Sequence, residues 1–479
     1  MLNIGTSEHD IIRLVEPYQV QAKYAALSHC WGTNQPTNTT SSTLAQMKAS
    51  ITWGELSKVF RDAIKVARRL GLQWIWIDSL CVIQDSKADW EIESSKMCDY
   101  YQNAYITISA SSSENGTVPF LRERERYWWP ERFTFICDDG TESEVMARRH
   151  QGSSMARILE DLGPLASRGW VWQENILSSR ILHFTQGDLI WECKSEILAE
   201  DGARPRGFYS MGLSQKLQRA REDPFYTWNH LIESYSVRQL TFESDKLPAV
   251  SGVASRIHGI VGSEYLAGLW KANMPMELCW SVDYISPLSA APQLPPSSFI
   301  APSWSWASVN GALSFVDRDP KITFDSLVTI VDVQCSVPGL NPYGEVLDGF
   351  LVLQGLVVPM VINCGNPYDC WSYTVGEDPE LTESMTPDCM LVHCPIDTVI
   401  HLEKATVRRA RKGDILAPFS TQVYCIRLGN EEGEDFSFMY GIILGLSETA
   451  EDVYMRLGLV ALDSEYWFEG AIERTVKVI

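Results

Sequence analysis

The N-terminal part of the chain alternates apolar runs typical of buried strands with segments of helical periodicity. The strand-like runs are YAALSHCWG (24–32), QWIWIDSLCVIQD (73–85) and YITISASSS (105–113). Between them, ELSKVFRDAIKVARRLGL (55–72) and ADWEIESSKMCDYYQNA (88–104) carry apolar residues at helical spacing. This order of strands and helices predicts an α/β fold built on a doubly wound parallel sheet.

The three predicted strands all end in small polar residues. Their carboxyl ends read SHCWG, DSLCVIQD and SASSS. In open α/β sheets, ligands bind beyond the carboxyl ends of the strands. The sequence therefore places a candidate pocket rim at these three ends.

The pattern divides the chain into four parts. We predict an α/β domain at 1–200 with a polar insertion near 114–163, a mostly helical region at 201–285, a Pro/Ser-rich connector at 286–320, and a β-rich domain at 321–479. The connector contains PSWSWAS, in which Trp304 and Trp306 alternate as residues of a strand do. We interpret that motif as a packing element.

Charge and composition narrow the possible functions. The 479 residues carry a formal net charge of -21, which disfavours general binding to nucleic acid or to anionic lipid. No run of about 18 apolar residues occurs, so no membrane span is expected. The start of the sequence lacks the features of a signal peptide, and the twelve cysteines are scattered. We expect a cytoplasmic protein without a disulfide framework.

The sequence gives no clear signal for a metal or a redox cofactor. Its densest group of possible ligands is Cys364, Cys370, Cys389, His393 and Cys394, whose spacing matches no standard zinc site, so thiols are favoured over zinc. Glycine-rich phosphate cradles of the G-x-G-x-x-G and Walker types are missing, as is the G-x-S-x-G elbow of hydrolases. No cofactor is therefore expected to be required.

Several motifs together resemble one family, the heterokaryon-incompatibility (HET) domain of filamentous fungi. They are YAALSHCWG, WIDSLCVIQDSKADWEIESSKMCDYYQNAYITISA and PLASRGWVWQENILSSRILHF, which span roughly 22–193, followed by DKLPAVSG and APSWSWAS, which resemble segments that commonly follow the domain. The resemblance implies a role in fungal non-self recognition that ends in growth arrest or programmed cell death.

HET domains are similar to Toll/interleukin-receptor (TIR) domains, which share a flavodoxin-like sheet. Some TIR domains cleave NAD at the nicotinamide–ribose bond with a glutamate carried on a helix. The resemblance thus implies a flavodoxin/TIR-like fold, and NAD or a related nucleotide as a substrate. It also implies self-association on activation. Since the sequence shows no NACHT-like nucleotide-binding segment and no WD repeats, we expect the trigger to come from the C-terminal region or from another protein.

Glu174 is the first candidate for a catalytic acid. Helical spacing puts it on the same face as Trp170, four residues earlier. Cleavage of an N-glycosidic bond builds positive charge on the sugar, which a nearby carboxylate stabilises. The alternative is that Glu174 forms an ion pair with Arg168 or Arg180 and anchors its helix.

Glu93 is the alternative acid. It shares a helical face with Trp90, three residues earlier, and precedes Lys96 by three residues. A solvated pair with Lys96 is therefore the competing interpretation.

The end of the first predicted strand supplies four candidate ligand-binding residues. Ser28 and His29 offer hydrogen-bond donors, Trp31 offers a stacking surface, and Gly32 would let the backbone approach a ligand closely. His29 is also a weaker candidate for a general acid. The alternative is a strand-end turn with a packed indole.

Further candidates lie on the second strand and on the tryptophan-rich helix. Asp78 is flanked by apolar residues, so we expect it to be buried and either to accept hydrogen bonds from a ribose or to cap the next loop. Gln84 belongs to the same strand end. Arg168 is a candidate partner of a pyrophosphate, and Gln173 joins Trp170 as a candidate ligand contact.

Two functions stay open from sequence. One is an enzyme that cleaves NAD or a related nucleotide, with Glu174 as its acid. The other is a non-enzymatic signalling module that acts by homotypic assembly or by binding another protein. A weaker third possibility is a sensor that binds a nucleotide without cleaving it.

Overall fold

A computed structural model describes most of the chain as two compact units. The units are Met1–Gln218 and Arg219–Ile479. The described residues are 1–16, 22–32, 37–147, 163–200, 202, 212–285, 291–316, 323–377, 382–393, 407–433, 437–447 and 453–479.

An eight-stranded mixed sheet forms the centre of the first unit. Its strands are β1 (Leu2–Asn3), β2 (Arg13–Leu14), β3 (Tyr24–Ser28), β4 (Trp74–Trp76), β5 (Ile106–Ser109), β8 (Arg180–Phe184), β9 (Leu189–Cys193) and β10 (Ile197–Ala199). They lie in the order β10-β9-β8-β5-β3-β4-β1-β2. A separate hairpin pairs β6 (Glu131–Ile136) with β7 (Glu142–Ala147).

Four strands of this sheet are parallel and carry the predicted α/β pattern. β3 pairs in parallel with both β4 and β5, and β5 pairs in parallel with β8. Counted along the chain, the order across the sheet is 2-1-3-4, the order in which flavodoxin-like sheets begin. The connections therefore change direction between β3 and β5. The prediction of a parallel sheet in the N-terminal part is confirmed.

Helices cover both faces of this sheet. They are α1 (Leu44–Ala49), α2 (Lys58–Arg69), α3 (Asp78–Cys81), α4 (Lys87–Asn103) and α5 (Gly169–Leu177), and α6 (Leu213–Arg219) follows the last strand. Helix α2 begins at its cap Ser57, whose hydroxyl accepts a hydrogen bond from the backbone N–H of Phe60. Its apolar face, which includes Val59, Phe60 and Ile64, is fully buried against the sheet.

Two local predictions for this unit are corrected. The second strand is much shorter than 73–85, since β4 ends at Trp76 and Asp78 begins the short helix α3. The polar insertion contains the ordered β6–β7 hairpin, although residues 148–162 lie outside the described residues. The burial of the apolar residues in 73–85 was correctly inferred. An apolar run cannot by itself, however, distinguish a strand from a strand followed by a helical turn.

The second unit begins with helices and short strands. The helices are α7 (Pro224–Ser236), α8 (Ser251–Val261) and α9 (Met274–Glu277), and the short strands are β11 (Tyr265–Leu266), β12 (Leu269–Trp270), β13 (Trp280–Val282) and β14 (Leu313–Phe315). Gly268 lies in the tight turn between β11 and β12 at φ 101°, and its carbonyl accepts hydrogen bonds from the indoles of Trp228 and Trp306.

The rest of the second unit is β-rich, as predicted. Its strands are β15 (Thr323–Ser326), β16 (Thr329–Ser336), β17 (Asp348–Cys364), β18 (Tyr373–Val375), β19 (Glu383–Pro387), β20 (Leu391–His393), β21 (Val407–Arg409), β22 (Phe419–Glu432), β23 (Ser437–Leu446), β24 (Val453–Leu462) and β25 (Ile472–Val478). The long strand β17 pairs with β16, β18, β22 and β25. Because β22 continues through β23, β24 and β19 back to β18, the strand path closes on itself around an apolar core.

A buried ionic cluster joins the PSWSWAS motif to these strands. Asp388 accepts hydrogen bonds from Arg409 at 2.8 Å and from Arg456 at 3.0 Å, and all three side chains are buried. Arg409 also donates to the carbonyl of Ser303 in the motif. The strand-like alternation predicted for this motif is wrong, because Trp306 begins a 3₁₀ turn (Trp306–Ser308). Its two indoles are nevertheless completely buried, as expected of a packing element.

Within the described parts of the chain, no helix combines the length and the apolar character needed to cross a membrane.

Candidate functional site

The site lies where the parallel sheet changes direction. At the carboxyl ends of the strands, Ser28 of β3 is in register with Ser109 of β5, which is in register with His183 of β8. All three side chains are buried. A row of polar groups therefore crosses the sheet beside the β3/β5 switch point, the place where doubly wound sheets bind their ligands.

Glu174 belongs to α5, which packs against α4 and this end of the sheet. Ser178 ends α5: its hydroxyl donates to the Glu174 carbonyl at 2.7 Å and also lies 2.7 Å from the Thr107 hydroxyl of β5. These contacts fix the last turn of α5 on β5. The Glu174 side chain consequently points into the interior and is only 5% exposed.

Burial strongly perturbs the Glu174 carboxyl group. Desolvation raises its pKa from 4.5 to about 7, and the nearby negative charge of Asp78 adds to the effect. The Ser28 and Tyr101 hydroxyls and the positive charge of Arg168 act in the opposite direction, but together they do not outweigh the desolvation. A carboxyl group with this pKa exchanges protons close to neutral pH, as a general acid or base must.

Several buried polar atoms in this region lack partners. Glu174 Oε2 and the hydroxyl oxygens of Ser28, Ser79 and Ser113 form no hydrogen bond with any part of the chain that the structure describes. The Ser28 hydroxyl is close enough to Glu174 to lower its pKa, yet it completes no hydrogen bond. Because buried polar groups are nearly always satisfied, these are the atoms that a bound water molecule or polar ligand would satisfy.

A second group of predicted residues forms a connected network at the strand ends. Trp31 Nε1 donates to Asp78 Oδ2 at 2.8 Å, and His29 Nδ1 lies 3.7 Å from Asp78 Oδ1. The His29 ring also packs edge-on against Phe60. Burial lowers the pKa of His29, although Asp78 opposes this change. A neutral His29 is therefore favoured.

Two residues of this group differ from expectation. The sequence predicts that Asp78 is buried, but its side chain is 23% exposed. The reason is that Asp78 occupies the first turn of α3 and not the interior of a strand. Gly32 has a φ of 72°, and a Cβ at this position would lie 2.4 Å from the Cβ of Asn115. Its backbone therefore makes close contact with another part of the same unit.

Arg168 precedes α5 and is half-buried beside the network. Its Nη1 donates to the His29 carbonyl at 2.7 Å. Arg180 donates to the Tyr105 carbonyl, and its guanidinium group lies over the Tyr105 ring. Among the described residues, neither arginine lies within ion-pairing distance of Glu174. The alternative in which Glu174 anchors its helix through an arginine is therefore supported by the longer-range attraction of Arg168 and not by a direct ion pair.

The remaining predicted residues lie at different depths. Trp170 is partly exposed on α5, whereas Gln173 is buried. Gln84 donates through Nε2 to the carbonyls of Asp78 and Val82, so its amide stabilises the turn after α3. Its side chain is thus engaged in a local structural role.

Sequence reasoning missed three residues that lie beside the candidate site residues. Tyr101 of α4 donates to the Leu27 carbonyl and is fully buried beside the acid. Ser79 stands out in the sequence only as part of a strand end. Cys30, next to the candidate His29, is buried near both Arg168 and Glu174. The one available signal was position, since Ser79 and Cys30 adjoin predicted residues.

Glu93, the alternative acid, lies elsewhere on the first unit. Its carboxylate accepts a hydrogen bond from Tyr100 and pairs with Lys96 at 3.2 Å, the predicted i,i+3 contact. Glu93 lines a cavity of about 430 Å³. A second cavity of about 170 Å³ lies near Phe184 and Trp128. Neither of these two cavities is lined by Glu174.

Metal ligands do not cluster in the described parts of the chain. No group of three or more His, Cys, Asp or Glu side chains there is arranged to hold a metal ion. Cys394 of the proposed cysteine group lies outside the described residues.

Comparison with known proteins gives one match. The family model described as heterokaryon incompatibility protein (HET) matches residues 24–174, from the first residue of β3 to Glu174 itself. The curated proteins and the solved structures gave no match.

Proposed function

Because residues 24–174 of this chain form a heterokaryon-incompatibility domain, we propose that the protein promotes fungal incompatibility and cell death by cleaving NAD or a related nucleotide at its N-glycosidic bond. The observation that carries this proposal is Glu174: a buried carboxyl group with a pKa of about 7, whose Oε2 has no hydrogen-bond partner among the described residues, beside the switch point of a parallel sheet. The order of the parallel strands supports the likeness to TIR domains on which the choice of NAD rests.

The proposed reaction needs only groups that the site contains. The bond between ribose C1′ and the nicotinamide nitrogen breaks, and its electron pair leaves with the nitrogen, which neutralises the pyridinium. Positive charge then develops on the ribose, and ionised Glu174 stabilises it. Water attacks C1′, and the proton it loses passes to Glu174 or to solvent. The products are nicotinamide and ADP-ribose.

A desolvated carboxylate suits this step better than a solvated one. In the resting site, the ionised form of Glu174 is disfavoured, as its raised pKa shows. Positive charge that shifts from the nicotinamide ring to the sugar would relieve that penalty more in the transition state than in the ground state. The same burial that makes Glu174 costly for the fold would therefore make it effective in catalysis.

Neighbouring residues would orient the substrate. The buried hydroxyls of Ser28 and Ser79 are available to ribose oxygens, since each lacks a partner among the described residues. Arg168 has donors besides the Nη1 that binds the His29 carbonyl, and a guanidinium binds phosphate oxygens well. The Trp31 indole is fixed by Asp78 and partly exposed, as a stacking surface must be.

Substrate entry would require local opening. Glu174 is almost completely buried, whereas Trp31, Asp78, Arg168 and Trp170 around it are partly exposed. Rearrangement of these side chains, or of the start of α5, would open a path to the carboxyl group. Self-association on activation is one way to stabilise such an opened form.

The direct test is release of nicotinamide from NAD by purified protein at high concentration. We expect turnover by the wild type, and loss of at least a hundredfold in Glu174→Gln, which keeps the side-chain shape. Glu91→Gln is the matched control, since the Glu91 side chain is 43% exposed on α4 and its carboxylate pairs with Lys87. Loss in Glu93→Gln combined with full activity in Glu174→Gln would transfer the role to the alternative acid. Equal activity in all variants would refute an acid-dependent reaction.

One observation favours the second candidate, signalling by assembly. Every residue of β6 is exposed, and those of β7 are exposed apart from a partly exposed Ser143, although the hairpin carries Phe133, Phe135, Ile136 and Met146. Isolated two-stranded hairpins are marginally stable, and exposed strand edges readily pair with other chains. Phe133→Ser with Ile136→Ser should then abolish cell killing, whereas Glu174→Gln should preserve it. The enzymatic proposal predicts that Glu174→Gln abolishes killing.

A further inference from the structure

The Glu93 cavity has the features of a binding site for a small molecule. Its volume of about 430 Å³ falls in the range of ordinary ligand pockets. The apolar part of its wall includes Leu14, Leu44, Trp76 and Ile83. Trp76 is only 1% exposed and stacks against Tyr100, with ring centroids 4.9 Å apart, so the partly exposed Tyr100 ring is the aromatic surface of this wall. The cavity is thus built to receive an apolar, flat body.

The polar part of the wall has three carboxylates and two cationic groups. Carboxylates of Glu16, Asp89 and Glu93 line the cavity, against the single basic side chain of Lys96 and the α-amino group of Met1. The α-amino group donates to the Val15 carbonyl, and Glu16 is paired with Lys48 at the exposed rim. Asp89 accepts a hydrogen bond from the Ile83 N–H.

Glu93 is the carboxylate best placed to bind a ligand. Its side chain is only 18% exposed, whereas its partner Lys96 is 50% exposed and therefore well solvated. Glu93 accepts one hydrogen bond from Tyr100 and one from Lys96. A carboxylate has about four acceptor positions, so capacity remains for a further donor inside the cavity.

We propose that this cavity binds a small aromatic amine, with the ammonium group on Glu93 and the ring against Tyr100, Leu44 and Ile83. Nothing in this proposal depends on cleavage of NAD. The Glu93 cavity is linked to the surroundings of Glu174 through packed rings. Trp76, in the cavity wall, packs edge-on against Tyr101, the residue beside Glu174. Helix α4 contributes residues to both sites.

The test is isothermal titration calorimetry with three indoles that differ in charge. Tryptamine carries an ammonium group, tryptophol is neutral, and indole-3-propionate carries a carboxylate. We expect the wild type to bind tryptamine most tightly and Glu93→Gln to lose about tenfold in tryptamine affinity. Glu93→Lys should reverse the preference between tryptamine and indole-3-propionate. Glu91→Gln, on the same helix but outside the cavity, should bind as the wild type does.

Three outcomes would overturn the proposal. These are no saturable binding of tryptamine to the wild type, equal affinity for the three indoles, or an equal loss of affinity in Glu91→Gln and Glu93→Gln. The comparison of the three indoles needs only the wild-type protein, so it decides the matter even where a variant fails to fold. Far-UV circular dichroism would identify such a variant.

Discussion

Glu174 should make the stability of the first unit depend on pH in a way that a single substitution removes. The folded protein holds the pKa of this carboxyl group at about 7, against 4.5 for a solvated glutamate. A raised pKa means that the folded state binds the proton more tightly than the unfolded state does. Its contribution to stability is therefore complete below about pH 4.5 and is lost as the pH rises to about 7.

The size of the effect follows from the shift. Each pKa unit corresponds to about 1.36 kcal/mol, so two units of the shift between about pH 5 and pH 7 correspond to roughly 2.7 kcal/mol. In Glu174→Gln this titration is missing. On raising the pH from about 5 to about 8, the free energy of unfolding should fall by roughly 2.5 kcal/mol more in the wild type than in the variant.

Urea denaturation at about pH 5 and about pH 8, followed by tryptophan fluorescence, measures the free energy of unfolding of each protein. The change between the two pH values is then compared between the wild type and Glu174→Gln. Titration of groups that do not interact with Glu174 affects both proteins equally and cancels. Glu91→Gln, in which an exposed glutamate is changed, should follow the wild type within about 0.5 kcal/mol. Parallel pH dependence in the wild type and Glu174→Gln would show that the carboxyl group is not desolvated, which would refute the reasoning.

Three further predictions concern other parts of the molecule. Asp388→Ala should destabilise the second unit by about 3–5 kcal/mol in chemical denaturation, because it leaves two buried guanidinium groups without their carboxylate. Gly268→Ala should lower the free energy of unfolding by about 2 kcal/mol in the same assay, since φ is 101° and the new Cβ would lie 2.5 Å from Trp306 Nε1. Arg168→Gln should raise the KM for NAD about tenfold or more through the loss of a charge-assisted contact with phosphate, whereas an unchanged KM would remove Arg168 from the substrate site.

The parallel core of the first unit was predictable because its strands are buried on both faces. Such strands read as continuous apolar runs, and Tyr24–Ser28 and Ile106–Ser109 stand out in the sequence for this reason. The extent of the second strand was not predictable. The residues after Trp76 stay apolar as they enter α3, so the run looks longer than the strand.

The neighbourhood of Glu174 was predictable only in part. The acid and the strand ends belong to the motifs that resemble the family. Tyr101 could not be assigned to the site, because its contact with Leu27 depends on how α4 packs across β3, seventy-four residues away in sequence. The bond between Trp31 and Asp78 likewise joins two strand ends whose distance only the folded sheet determines.

The exposed hairpin and the Glu93 cavity left weaker signals in the sequence. Residues 131–147 contain charged and apolar residues without a clear period, which is why the sequence predicts only a polar insertion there. The cavity is assembled from the first strands, α1, β4 and α4, and sequence gives no measure of empty space between such elements. Both features depend on tertiary packing.

The most direct test of the proposed function is a crystal structure of Glu174→Gln with NAD, since this variant should bind the substrate without cleaving it. The account predicts intact NAD at the β3/β5 switch point, with the amide introduced by the substitution within about 3.5 Å of the nicotinamide ribose. Nucleotide bound elsewhere on the first unit, or a site that stays filled by its own side chains at saturating NAD, would contradict it.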